Sequence, residues 1–149
     1  PEGVRGWDLS NTIFKLEQIM YYYYFNNRWY KDWAGTFVSQ WKNLKNVSWN
    51  TTRQGPGQRM DDPKTFPNLI PNGGWHFTNC MKLPEVIKKL ESYSHQEYNT
   101  PEFKESLSRR RKHNLDYYGT AFPERIDEEN WPQYLKDNRA HYQNLCKNL

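Results

Sequence analysis

Residues 12–27 read Thr-Ile-Phe-Lys-Leu-Glu-Gln-Ile-Met-Tyr-Tyr-Tyr-Tyr-Phe-Asn-Asn, and how they fold decides the class of the whole chain. Ile13, Leu16 and Met20 fall near helical spacing, which predicts a helix over the first half. The aromatic run at residues 21–25 is β-prone, and Asn26-Asn27 then breaks it. Working outward, residues 33–41 (WAGTFVSQW) are aromatic and β-branched and predict a second strand. Residues 42–67 are polar, carry Gly-Pro-Gly at 55–57 and Asp-Asp-Pro at 61–63, and predict a long loop. Residues 68–77 (NLIPNGGWHF) give a short apolar stretch, a Pro-Asn-Gly-Gly turn and a strand through residues 75–77.

The second half is predominantly helical in pattern. Residues 83–93 (LPEVIKKLESY) have Pro84 in the first turn, Glu85 at the positive end of the helix dipole, and Val86, Ile87 and Leu90 as an apolar stripe. Thr100-Pro101 reads as an N-cap followed by proline at the first helical position. Gly119 is the expected stop of that second helix. A last helix is predicted from about Pro132. No internal repeat or low-complexity tract interrupts the pattern.

The chain has 149 residues, about one domain. It opens on Pro-Glu-Gly, a loop-like start that suggests a fragment or processed product. Hydrophobic residues make up 36%, and aromatics make up 17%, so rings must supply most of the burial. Mean hydropathy is −1.14 and the pI is near 9.0. A balance of 21 basic against 17 acidic residues favours acidic small partners without being a nucleic-acid signature. No apolar run reaches the length of a membrane span, and no signal-peptide pattern is present. Cys80 and Cys146 are open to pairing or to remaining free. Sequons stand at Asn46-Val47-Ser48 and Asn50-Thr51-Thr52, with meaning only in a secretory lumen.

Two short stretches carry candidate chemistry. Asn72-Gly73-Gly74-Trp75-His76 could be a platform: glycines let a ligand approach the backbone, Trp75 could stack on a pyranose, and His76 could donate to phosphate. Read alone, the same residues make an ordinary tight turn followed by packed side chains. In His95-Gln96-Glu97 a glutamate near a histidine can act as a general base if burial raises its pKa toward neutrality; the plainer reading is a solvated carboxylate in a loop. Arg109, Arg110, Arg111 and Lys112 form a basic run that reads first as a solvated helix face and second as a phosphate site. Metal-ligand spacings, Gly-rich phosphate loops and nucleophile elbows are not found in the sequence.

Taken together, these residues resemble glycosyltransferase family 17. The family pattern Gly-Trp-His-Phe-Ser, a helix with Ile and Lys, then Ser-Phe-Ser-His-Gln-Glu-Phe-Asn is matched by residues 74–78 (GWHFT) and 92–99 (SYSHQEYN). Residues 20–26 (MYYYYFN), 33–38 (WAGTFV) and 116–145 are similar to the family's flanking segments, so the likeness covers nearly the whole chain. The resemblance implies an α/β fold: the C-terminal part of a GT-A-like nucleotide-sugar transferase, a mixed sheet with flanking helices. It implies inverting transfer of N-acetylglucosamine from UDP-GlcNAc to a mannose-containing glycan or glycoprotein, the bisecting type. By the same likeness Asn72, Gly73 and Gly74 would be the glycine loop near the donor, and Trp75 and His76 would line donor and acceptor. Glu97 would be the base, His95 would orient it, and His141 would meet a divalent metal, Mn²⁺, or the diphosphate.

One family feature departs. The Asp-x-Asp metal motif is not matched: Asp61-Asp62 lacks the strand context, and Asp127-Glu128-Glu129 fits the family's tail. The expectation is therefore a single domain fragment over residues 1–149, the acceptor-side half without the nucleotide lobe, inactive in isolation. Family members in animals sit in the Golgi lumen on a membrane anchor outside this sequence, and bacterial or viral ones would be cytoplasmic. The rival readings are a non-catalytic glycan-binding module, in which Gln would serve at position 97, and a nucleic-acid binder built on residues 109–112, for which no recognition motif is present.

Overall fold

The computed structural model describes residues 13–45 and 68–147. Of the loop expected at 42–67, residues 42–44 belong to a short helix instead, and residues 46–67, with both sequons, Gly-Pro-Gly and Asp61-Asp62, lie outside the described residues. The chain is mixed α/β, and its strands form a four-stranded mixed sheet. It divides into two compact units, Pro1–Ile19 with Asp32–Gly74, and Met20–Lys31 with Trp75–Leu149. No helix among the described residues is long and apolar enough to cross a membrane.

Strand β1 is Phe14–Tyr22, so the helix predicted for its first half is a strand instead. The helical spacing of Ile13, Leu16 and Met20 competes with a period-two set, Phe14, Leu16, Gln18, Met20 and Tyr22. Sheet partners satisfy the backbone in the second arrangement, and tertiary pairing overrides a weak local preference. β1 pairs antiparallel with β2 (Trp33–Val38), with Phe14 opposite Val38 and Leu16 opposite Thr36. The register slips between Leu16 and Gln18, which leaves an extra residue on β2 beside Gly35. A Cβ on Gly35 would stand 2.3 Å from the Trp33 indole, so the glycine gives that ring its place. β2 stops at Val38, and Trp41–Leu44 turns into a short helix, α1.

The apolar stretch at residues 69–70 is β3 (Leu69–Ile70), parallel to β1 through Lys15 and Leu16. The turn that follows has a packing reason for each residue. Asn72 adopts φ 55° and Gly74 φ 120°, the latter a conformation L side chains rarely adopt. The Gly73 N–H donates to the Glu17 carbonyl at 2.6 Å. A Cβ on Gly73 would lie 2.7 Å from Leu16 Cβ and 3.0 Å from Leu16 Cα. Backbone cannot give way as a side-chain tip does. Gly73→Ala is expected to cost about 1–3 kcal/mol through overpacking, measured by urea denaturation; a loss under ~0.3 kcal/mol would show that the turn relaxes freely.

In the second unit, β4 (Trp75–Thr78) also pairs with β1. Ile19 N–H donates to the Gly74 carbonyl at 3.0 Å and Tyr23 N–H to the Thr78 carbonyl at 2.9 Å, so the two chains run in the same direction. Helix α2 (Leu83–Ser92) starts as the sequence predicts, with Pro84 in its first turn and Glu85 accepting from the Lys82 N–H at 2.8 Å. Helix α3 (Pro101–Lys112) is capped by Thr100 Oγ1, which accepts from the Phe103 N–H at 3.2 Å. It ends well before Gly119: Asn114 at φ 48° turns the chain, and Gly119 at φ 85° serves a later turn closed on the Asp116 carbonyl. Val86, Leu90 and Leu107 are buried together, with Phe103, Tyr98 and Tyr117 packed against them. The single last helix is two, α4 (Gln133–Asp137) and α5 (Arg139–Tyr142), separated at Asn138, followed by a 3-10 turn at Gln143–Leu145.

β1 stops at Tyr22 because Tyr23 takes φ 66°. Its hydroxyl donates to the Leu115 carbonyl at 2.7 Å. The break at Asn26-Asn27 is a buried hub. Asn27, fully buried, donates to the Tyr22 carbonyl and to Asn114 Oδ1, both at 3.2 Å. Asn26 donates to Glu128 at 3.1 Å and exchanges hydrogen bonds with the Lys147 backbone at 3.0 and 2.7 Å. Around the hub the rings supply the burial that composition demands: Trp29 lies 4.2 Å from Phe122 and 5.0 Å from Tyr22, centroid to centroid.

Candidate functional site

The His-Gln-Glu-Tyr-Asn stretch connects α2 to α3, and its polar residues divide into two roles. Gln96 and Asn99 hold the loop. The Gln96 amide donates back to the Tyr93 carbonyl and, at 3.5 Å, to the Leu90 carbonyl, so it closes the C-terminal end of α2. Asn99 Nδ2 donates to Gln96 Oε1 at 2.8 Å. Thr100 then caps α3. A 3-10 turn at Gln96–Tyr98 results.

His95 and Glu97 point outward from that braced turn. His95 Nδ1 and Glu97 Oε1 are 2.7 Å apart, with side chains 56% and 58% exposed. The condition set for Glu97 as base, burial lifting its pKa, is not met. A hydrogen bond from its own backbone N–H, and then one from His95, hold the Glu97 carboxyl below the ordinary carboxylate value. Tyr93 lies 5.1 Å and Tyr98 6.4 Å from the His95 ring, and Tyr118, 6.3 Å from Tyr98, is largely exposed. The pair therefore stands on an aromatic surface.

The other candidates fall elsewhere. Asn72, Gly73 and Gly74 belong to the first unit, where Gly73 lies against Leu16 and Asn72 and Gly74 adopt positive φ. Trp75 and His76 belong to the second unit, on β4. His76 is half-buried. Trp75 is 42% exposed, yet its indole Nε1–H donates to the Asn130 carbonyl at 2.6 Å. His141 is exposed on α5, its ring edge-on to Tyr142 at 4.8 Å. Among the described residues no group of three His, Cys, Asp or Glu side chains is arranged to hold a metal ion.

The basic run is not simply a solvated face. Arg110 donates to Ser106 Oγ at 2.9 Å and to the Asp116 carbonyl at 2.7 Å, its guanidinium over Phe103. Arg111 donates to the Met81 carbonyl at 2.8 Å and stacks on Tyr24 at 4.3 Å. Half the run is spent tying α3 down, leaving Arg109 and Lys112 exposed. Cys80 and Cys146 are buried free thiols, and burial pushes both upward, Cys80 far above the ordinary thiol range.

Sequence reasoning passed over Arg28, Asp127 and Asn130. Asp127 Oδ1 accepts from the Asn130 backbone N–H and side chain, both at 3.1 Å, and Oδ2 accepts from Arg28 at 3.1 Å. Burial alone would raise the Asp127 carboxyl, but the Asn130 donors and Arg28 hold it below its ordinary value. The Asp-x-x-Asn spacing was a local signal, since an aspartate commonly accepts from the N–H three residues on. Nothing near Arg28 signals a partner 99 residues away. Comparison with protein-family models, curated proteins and solved structures returns no match.

Proposed function

We propose that this chain handles glycans, as the acceptor-side segment of an inverting glycosyltransferase that moves N-acetylglucosamine from UDP-GlcNAc to a mannose-containing glycan. The observation that carries the reading is the His95–Glu97 pair, 2.7 Å apart on a braced turn beside the half-buried Tyr93 and Tyr98 and the exposed Tyr118. It is supported by the likeness of residues 74–78 and 92–99 to glycosyltransferase family 17. A single inverting displacement needs one base. The acceptor oxygen attacks the sugar C1, the bond from C1 to the diphosphate oxygen breaks with its electron pair leaving on UDP, and the hydroxyl proton passes to the base.

The geometry favours His95 as that base and Glu97 as its partner, the reverse of the order expected from the sequence. A carboxylate held low is a weak proton acceptor, whereas an imidazole with Nδ1 engaged presents Nε2 as the acceptor. Glu97 then stabilises the imidazolium that forms.

A non-catalytic glycan-binding module is the second reading, favoured by the exposure of both side chains, since an enclosed pocket would exclude water from the reacting atoms. The test is radiolabelled transfer from UDP-GlcNAc to a mannose-containing acceptor, with Mn²⁺, by the full protein that carries this chain. Transfer to the acceptor is the expected result. Glycan retained on the protein with no transfer would replace the enzyme reading by the binding module, and neither transfer nor retention would overturn both.

A further inference from the structure

The turn after α3 holds two consecutive tyrosines in opposite senses. Tyr117 is half-buried and packs inward, 5.2 Å from Phe103 and 5.3 Å from Tyr98, centroid to centroid. Tyr118 stands outward and is 83% exposed. Its ring contact among the described residues is a near-perpendicular one with Tyr98, at 6.3 Å. A single surface tyrosine needs no explanation by itself, but this one is mounted on a built turn. Asp116 Oδ1 accepts from the Tyr118 N–H at 2.9 Å and from the Thr120 N–H at 2.8 Å. The Asp116 N–H donates to the Thr120 carbonyl at 3.0 Å, and the N–H of Gly119, at φ 85°, donates to the Asp116 carbonyl at 3.1 Å. Arg110 holds the base of the turn by donating to the same Asp116 carbonyl at 2.7 Å. The Tyr118 backbone is thus fixed in advance, and a ligand that stacks on its ring has less conformational freedom to remove.

Tyr98, the ring beside Tyr118, also lies 6.4 Å from the His95 ring. Burial first, then Tyr118, then Glu97 and Asp116 raise the Tyr98 phenol above its ordinary value, so all three side chains gather around it. The exposed ring therefore stands one tyrosine away from the His95–Glu97 pair. We infer that Tyr118 is the stacking residue for the acceptor sugar, held out by the Asp116 turn so that a pyranose on its ring presents a hydroxyl edge to His95 and Glu97. The inference rests on the glycan reading above and names the residue that holds the sugar within it. A pyranose has an apolar C–H face and polar edges, and an aromatic ring beside a polar pair matches both. A protein partner would call for a broader apolar patch than one outward ring among Gly119, Thr120, His95 and Glu97 provides. Asp116 touches no sugar in this arrangement and acts only through the position of Tyr118.

The test is calorimetric titration of the full protein with a mannose-containing core oligosaccharide. Tyr118→Ala, at an exposed position where folding is not at risk, should weaken binding by on the order of tenfold, and Tyr118→Phe should stay within about twofold of wild type. Tyr134→Ala, which removes another exposed tyrosine on α4, should leave binding unchanged. Asp116→Ala should weaken binding several-fold, and Asp116→Asn, which keeps an acceptor at Oδ1, should recover it. Gly119→Ala strains the same turn from its exposed end and should act as Asp116→Ala does, which serves if Asp116→Ala fails to fold. Added to Tyr118→Ala, either turn variant should cost nothing further, because the turn acts through the ring. Binding that survives Tyr118→Ala overturns the stacking role and leaves the glycan reading standing. Tyr118→Phe as weak as Tyr118→Ala overturns stacking in favour of a bond to the hydroxyl. Binding lost in Tyr118→Ala but unchanged in Asp116→Ala and Gly119→Ala overturns the positioning role alone. A wild-type protein that does not bind the oligosaccharide overturns the inference together with the glycan reading.

Discussion

In the full protein, His95→Ala is expected to lower kcat for sugar transfer by roughly 10²–10⁴-fold, the usual contribution of a positioned base. KM for the acceptor should change little, because the proton is taken in the transition state rather than on binding. Glu97→Gln should cost less, roughly 10–100-fold, by analogy with other partners that orient a histidine. The amide of Gln keeps a group at hydrogen-bond distance but withdraws the charge that faces the imidazolium. The size of the two losses separates the roles. If Glu97 is the base, Glu97→Gln becomes the more damaging change. Equal and small losses from both would make the pair a brace of the turn between α2 and α3.

The second large effect concerns the hub at the end of β1. Asn27→Ala is expected to destabilise the protein by about 2–4 kcal/mol, near the upper range for losing a buried hydrogen-bond network. The side chain is fully buried, and its removal strips the donor from Asn114 Oδ1 and from the Tyr22 carbonyl, and the acceptor from the Arg125 N–H at 3.4 Å. The midpoint of thermal unfolding should fall by about 5–15 °C for a chain of this size. Gln133→Ala, which removes an exposed bond to Asp137 on α4, should change it by less than about 2 °C. A loss below ~0.5 kcal/mol in Asn27→Ala would mean that water replaces the network and that the hub is not what holds the C-terminal segment.

The helices on either side of the His95–Glu97 turn were legible because their signals are local. Pro84 sits in the first turn, Glu85 accepts from the Lys82 N–H, and Thr100 accepts from the Phe103 N–H, each bond spanning three residues. A hydrogen bond of that reach forms from the same few residues whatever the remainder of the chain does. The helix stop was misplaced at Gly119 because Asn114 reaches the left-handed region as well, and Asn27, from across the sequence, holds the Asn114 side chain.

The candidate site was half legible. Gln96 and Asn99 brace the turn through neighbouring carbonyls, so the spacing of that stretch already contained its shape. The low carboxyl of Glu97 was not readable, since it depends on how the turn closes the Glu97 N–H and the His95 ring onto the carboxylate. Trp75 could be read as stacking or as packing, and its bond to Asn130, 55 residues away, is announced by no neighbouring residue.

β1 shows the same division on the scale of the fold. Its aromatic half declared a strand, but residues 14–20 became one only by pairing with Leu69, Thr36 and Val38. Residue order alone settled the short-range matters: where α2 and α3 begin, the turn at residues 71–74, and that rings would fill the core. Closure of the chain settled the rest: the sheet partners, the Asn27–Asn114 bond across 87 residues and the Arg28–Asp127 ion pair across 99. A capping bond adds little loop-closure entropy beyond that of its own turn, so it is written in adjacent residues. A bond across 87 residues forms only after many other contacts have brought its ends together, so no neighbour in the sequence announces it.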